Sequence, residues 1–116
     1  MNESIKESNF QSKVVKWLKE HNFYTIKYNA SGMSNVGVPD VITCMHGLFV
    51  AIEIKKEKGI VSPLQLYNIK KINQGEGMAI VLKPSQFTTF KNIVNEQYNH
   101  SHYDVRKEML EKIGVD

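Results

Sequence analysis

Asp40, Glu53 and Lys55 are the residues of this chain whose types and spacing can do chemistry together. Two β-rich runs, Val41–Met45 and Leu48–Ile54, flank His46-Gly47, and a two-residue connection ending in Gly between such runs predicts a hairpin. His takes φ > 0 less readily than Asn, so the signal is weaker than an Asn-Gly turn. With His46 and Gly47 as the turn, Met45 faces Leu48, Thr43 faces Val50, and Asp40 faces Glu53. Directly opposed residues of an antiparallel pair bring their Cβ atoms to about 4.5–5.5 Å, where like charges repel. Alternation puts Lys55 on the side of Glu53, and Val41, Ile52 and Ile54 on the other. Two hard oxygen donors at that separation suit Mg²⁺ or Mn²⁺. A neighbouring lysine can then orient or deprotonate a water on the ion.

Pro39-Asp40 followed by Glu53-Ile54-Lys55 after a short hairpin resembles the PD-(D/E)xK signature of metal-dependent nucleases. Gly37-Val38-Pro39-Asp40, the Asn29-Ala30-Ser31-Gly32-Met33 run before it and Ser62-Pro63-Leu64-Gln65 after it resemble, more narrowly, the virus-type replication-repair nucleases (VRR-NUC). The resemblance covers about residues 7–95. It implies hydrolysis of DNA phosphodiesters to a 5′-phosphate and a 3′-hydroxyl, with no organic cofactor. Asp40 and Glu53, with the Ile54 carbonyl, would hold Mg²⁺ or Mn²⁺, and Lys55 would position the attacking water. Stand-alone members of this size resemble Holliday-junction-resolving nucleases. Cutting a four-way junction symmetrically needs two active sites, hence a twofold homodimer. No major-groove reading element is evident, so DNA shape is the expected target. The family name also implies a bacterial or phage-infected host.

The elements that position these residues follow in order. Residues 4–21 read as an amphipathic helix with Phe10, Val14, Trp17, Leu18 and His21 at helical spacing. Glu7 has two readings: partner of Ser4 in a capping box, or an extension of the Gln11, Val14, Leu18 stripe toward the metal site. The family carries an acid on this helix at the position of Glu7, which favours the second; Glu3 is the substitute if the helix starts earlier. Phe23–Asn29 reads as a strand. The loop 30–37 is either a connection or a phosphate or base contact through Ser31 and backbone amides. Lys56-Glu57-Lys58-Gly59 is a charged turn whose lysines are either solvated or in contact with DNA phosphates.

Ser62-Pro63-Leu64-Gln65 is a helix start with Ser at the N-cap, Pro at N1 and Gln at N3. Gln65 is explained as the N3 partner of Ser62, and the family carries a Gln there that reaches the site; both uses can hold at different moments. Met78–Leu82 is apolar throughout, as a strand buried on both faces requires. Lys83-Pro84-Ser85 opens a last core helix with Phe87, Phe90, Ile93, Val94 and Tyr98. The predicted architecture is a single α/β domain, αβββαβα, with a mixed four-stranded sheet flanked by helices, the restriction-endonuclease-like arrangement. Residues 1–98 form that domain and 99–116 a tail with a possible short helix, packed on the body or on a second subunit.

Composition bounds the rest. The chain has 116 residues, 41% hydrophobic and 23% charged, which is one ordinary globular domain. A single cysteine, Cys44, excludes a disulfide framework and reads as a buried strand residue. No apolar run approaches the ~20 residues of a membrane span, so a cytoplasmic protein is expected. A net charge of +3 permits a polyanion partner without demanding one. His100 and His102 lack a third ligand and read as exposed linker residues. Two other readings use the same residues: a non-catalytic or exonucleolytic DNA-binding module on this fold, and an interaction domain in which Asp40 and Glu53 pair with lysines.

Overall fold

The structure is a computed structural model that describes residues 6–28, 37–96 and 102–115. Its elements are α1 (Glu7–Glu20), β1 (Tyr24–Lys27), β2 (Val41–Met45), β3 (Leu48–Ile54), α2 (Pro63–Gln74), β4 (Met78–Leu82), α3 (Phe87–Glu96) and α4 (His102–Ile113), with one 3₁₀ turn, Pro84–Gln86, leading into α3. The strands form one sheet in the order β1-β2-β3-β4. The first three pair antiparallel, and β4 joins β3 in parallel through α2. The expected mixed sheet between helices is what forms.

The hairpin closes as the sequence requires. His46 and Gly47 have φ of 54° and 83°, the left-handed pair of a two-residue turn that matches strand twist. The register places Met45 against Leu48, Thr43 against Val50 and Val41 against Ile52. Alternation then sorts the two faces. Val41, Val50, Ile52, Ile54, Met78, Ile80 and Leu82 join the helices α1, α3 and α4 in the main core. Phe10 and Trp17 of α1 meet Phe87 and Phe90 of α3 edge to face, with centroids 5.6 and 5.8 Å apart. On the other face α2 lies over Ala51, Ala79 and Val81.

Two local expectations need correction. Helix α1 begins at Glu7, with Lys6 as an extended N-cap and no side-chain cap; Glu7 is therefore its first residue, not the third-position member of a capping box. Ser4 and Glu3 lie outside the described residues. Cys44 is exposed, because α2 covers β3 and β4 only and leaves the β1–β2 half of that face open. Of the two placements expected for a short helix in the tail, the structure shows packing on the body, by α4. Val105, Met109 and Ile113 of α4 are buried, and Arg106 donates to the carbonyls of Gly77 and Asn73, both at 2.9 Å. That guanidinium sits at the C-terminal end of α2, where orphan carbonyls attract cations. His100 and Tyr98 lie outside the described residues.

Candidate active site

Asp40 stands just before β2, where regular pairing with β3 has run out. Its carbonyl accepts the Tyr28 N–H at 2.7 Å, and its Oδ2 accepts the Ile54 N–H at 3.0 Å. The carboxylate thus stands in for the next carbonyl of the ladder. Backbone N–H and C=O of one strand residue point to the same edge, so the Ile54 carbonyl lies on the edge that Asp40 borders. Glu53 projects from β3 beneath α2 and is only 2% exposed. Lys55 Nζ is 3.9 Å from Glu53 Oε2. The expected trio is assembled on one face.

Electrostatics make the pair unusual. Burial, then the neighbouring Asp40, push the Glu53 carboxyl up to about 8 against the opposing pull of Lys55. Burial also raises Asp40, opposed by its bond to the Ile54 N–H and by hydrogen bonding with Glu53. Burial thus raises the proton affinity of both carboxyls, and Asp40 adds to the rise at Glu53. Glu53 Oε1 is buried and has no hydrogen-bond partner among the described residues. A buried, unpaired carboxylate oxygen is costly unless something binds it.

Gln65 explains how Glu53 is held. Its Oε1 accepts the Ser62 N–H at 2.9 Å while its own N–H reaches Ser62 Oγ at 3.1 Å, so the capping box forms. Because Oε1 is committed there, Nε2 faces inward and donates to Glu53 Oε2 at 2.9 Å. The structural and site roles coexist on different atoms; they need not alternate.

The remaining sequence candidates divide. Glu7 Oε2 accepts the Lys56 N–H at 3.4 Å, which brings it to the rim of the site, and its charge acts on both Asp40 and Glu53. Among the described residues, no three His, Cys, Asp or Glu side chains are grouped closely enough to hold an ion between them. Glu7 is therefore placed at the rim and not grouped with Asp40 and Glu53 as a third ligand. Lys56 and Lys58 are exposed in a turn closed by the Gly59 N–H on the Lys56 carbonyl at 2.9 Å. Ser31 lies outside the described residues.

Sequence reasoning missed Glu57. Its carboxylate accepts the Ser85 N–H at 3.0 Å and the Ser85 hydroxyl at 2.6 Å, and these two bonds lower its affinity for a proton. The turn that carries Lys56 and Lys58 is thereby fastened to the turn that starts α3. The partners are too far apart in sequence for any local signal to pair them.

The donor set fits a hard divalent cation. Two facing carboxylates, one with an unpaired buried oxygen, and a carbonyl on the same edge supply oxygens only, and Mg²⁺ or Mn²⁺ completes its shell with water and substrate phosphate. The mixed sheet and the paired acids with a lysine two residues on are those of the restriction-endonuclease-like, PD-(D/E)xK class of fold. The chain belongs to the archaeal Holliday junction resolvase (Hjc) family, whose model matches residues 2–108. Nucleases of that family are metal-dependent hydrolases acting on DNA. The match is to this family's model and runs into α4, past the point where the VRR-NUC resemblance ends. Among solved structures, Hjc of Archaeoglobus fulgidus, a Holliday junction resolvase from an archaeal hyperthermophile, superposes with a TM-score of 0.53 at 21% identity. The superposition covers 66% of each chain, just under two thirds of the Archaeoglobus protein. No curated protein matches the sequence.

Proposed function

We infer that this protein is a divalent-metal-dependent endonuclease that hydrolyses phosphodiesters in branched DNA, with the four-way junction as its favoured substrate. The observation that carries the reading is the Glu53 carboxylate: buried beside Asp40, with one oxygen held by Gln65 and the other without a hydrogen-bond partner among the described residues. A fold would not keep two carboxyls so placed for stability alone.

Asp40, Glu53 and the Ile54 carbonyl would hold Mg²⁺ or Mn²⁺, with Glu7 contributing through water. When bound, the ion supplies Lewis-acid polarisation of the phosphoryl group and a more acidic water. The chain's own residues do the rest. The Ile54 N–H fixes the Asp40 carboxylate, and the Gln65 amide fixes Glu53. Lys55 orients the attacking water and stabilises charge on the non-bridging phosphoryl oxygens. The water oxygen bonds to phosphorus, the P–O3′ bond breaks, and the 3′ oxygen leaves as a hydroxyl. Lys56 and Lys58, exposed on the turn fastened by Glu57, would contact flanking phosphates.

A twofold homodimer accompanies this reading. The half of the sheet that α2 leaves open carries Tyr24, Ile26 and Phe49 at 75%, 46% and 50% exposure, and α2 adds Leu64 and Tyr67 at 46% and 58%. Large side chains of this kind bury about 150–250 Å² each, so the group exposes on the order of 500 Å². A stable interface takes about 800 Å² from each partner. The narrower kinship to VRR-NUC nucleases rests on the Gly37–Asp40 and Ser62–Gln65 motifs. Among the described residues no helix is long and apolar enough to cross a membrane, and a cytoplasmic setting accords with a DNA substrate.

The test is cleavage of a labelled four-way junction beside linear duplex, flap and single-strand controls, with Mg²⁺ or Mn²⁺. Paired nicked duplexes from the junction support the reading. Degradation from linear ends alone retains the site and removes the junction claim. Binding without cleavage under either metal would leave a non-catalytic DNA-binding module.

A further inference from the structure

A groove of about 440 Å³ runs between α1 and the edge strand β1, lined by Ser12, Val15, Lys16, Lys19, Glu20 and Lys27. Lys16 and Lys19 are three apart and share one side of α1, while Lys27 faces them from the end of β1. Val15 is nearly buried at 7% exposure and gives the lysine stems an apolar floor that leaves their heads in water. With Glu20 included the groove carries a surplus of positive charge. Among the described residues, none of the three lysines has a carboxylate within ion-pairing distance.

The position of the groove matters more than its charge. Lys27 is the register partner of Val41, the neighbour of Asp40, and the next residue, Tyr28, donates its N–H to the Asp40 carbonyl at 2.7 Å. The other wall is α1, which begins at Glu7 on the rim of the site. Both walls therefore start at the candidate metal-binding acids and lead away from them. At 1.5 Å per helical residue, Lys16 and Lys19 stand about 14 and 18 Å along α1 from Glu7. Duplex DNA carries one negative charge per about 1.7 Å of axis, so a backbone leaving the site passes several phosphates over that span.

We propose that the α1–β1 groove is a phosphate-backbone track, holding one DNA arm beside the cut through Lys16, Lys19 and Lys27. It deepens the DNA-nuclease reading and rests on it. The track contacts no base, so it anchors the arm whatever its sequence and sets the direction in which the strand enters the site.

The experiment is fluorescence anisotropy of a labelled four-way junction, without divalent metal, from 50 to 300 mM KCl. It compares wild type, a Lys16→Ala/Lys19→Ala/Lys27→Ala triple variant, a single Lys16→Glu variant, and a control triple at the exposed Lys70, Lys71 and Lys107. Each phosphate contact removed lowers the salt slope by about one. The groove triple is expected to lose about two to three units of slope and at least ~10-fold in affinity at 150 mM KCl. Lys16→Glu should weaken binding severalfold on its own, and the control triple should stay near wild type. Equal losses in groove and control triples would assign the effect to net charge and overturn the track, as would a groove triple that binds like wild type. If wild type itself binds no DNA, the nuclease reading falls, an outcome distinct from failure of the track alone.

Discussion

Gln65 donates to Glu53 over 2.9 Å while its other amide atom holds the Ser62 N–H at the same distance. One side chain therefore starts helix α2 and orients a candidate metal-binding carboxylate, and the two tasks separate by substitution. Gln65→Glu retains an acceptor for the Ser62 N–H but turns an oxygen toward Glu53. Junction cleavage should fall at least ~10-fold, comparable to loss of one positioned donor, with helix α2 intact by circular dichroism. Gln65→Ala loses both and should also cost about 1 kcal/mol of stability, the usual worth of a cap. Wild-type cleavage by Gln65→Glu would show that the donor to Glu53 has no part in the reaction.

Protonation of Glu53 gives a pH signature to the metal-free protein. Its folded value, about 8, lies above the ordinary 4.5, so between those limits the folded state binds more protons than the unfolded one. Stability then falls as pH rises through that window. In EDTA the melting temperature should decline from about pH 5 to pH 8. Added Mg²⁺ or Mn²⁺ should raise it most at the alkaline end, because cation and proton compete for the same carboxyls. A flat profile in EDTA, or a metal effect that is greatest at pH 5, would contradict this.

Asp40→Asn should trade activity for stability. The amide oxygen still accepts the Ile54 N–H, but the facing negative charge is gone. Without metal at pH 8 the variant is expected to melt above wild type, while metal-induced stabilisation and cleavage are lost. A melting point well below wild type would mean that the acid pair is not under repulsive strain.

Lys55→Ala is expected to bind junction DNA within a few-fold of wild type and to cleave it ~10²–10³-fold more slowly, the range for removing one stabilising group from a transition state. Gel-shift affinity and single-turnover cleavage on one preparation separate the two. Equal losses in both would make Lys55 a binding residue.

Tyr24→Glu combined with Tyr67→Glu places charge on the open sheet face and the exposed side of α2. Sedimentation equilibrium should show a wild-type dimer and a folded monomeric variant. A variant that remains dimeric would move the interface elsewhere.

The hairpin was legible because its information is local. His46-Gly47 fixes the turn, period-two alternation fixes the faces, and the opposition of Asp40 and Glu53 follows. Helix α2 was equally plain, since Ser62, Pro63 and Gln65 announce its start. What escaped depends on contacts distant in sequence. Helix α4 is held by Arg106 reaching back to Asn73 and Gly77, and nothing around Arg106 announces those carbonyls. Cys44 looked like a core residue because strand alternation does not say how far a helix on that face extends. The start of α1 was misplaced because Ser4 and Glu7 have capping-box spacing, whereas the helix begins with Glu7 turned toward Lys56.

The two amide atoms of Asn73 bind the backbone of Ala79 from outside the sheet. Its Oδ1 accepts the Ala79 N–H at 2.8 Å, and its Nδ2 donates to the Ala79 carbonyl at 3.2 Å. Together they imitate the peptide group of one more strand. β4 ends the sheet, and an uncovered terminal strand is a template on which foreign chains polymerise. Asn73 occupies the rung at Ala79, near the start of β4, so a stray extended segment meets an edge on which that rung is already taken. A helix side chain thereby does at this edge what a further strand would otherwise do.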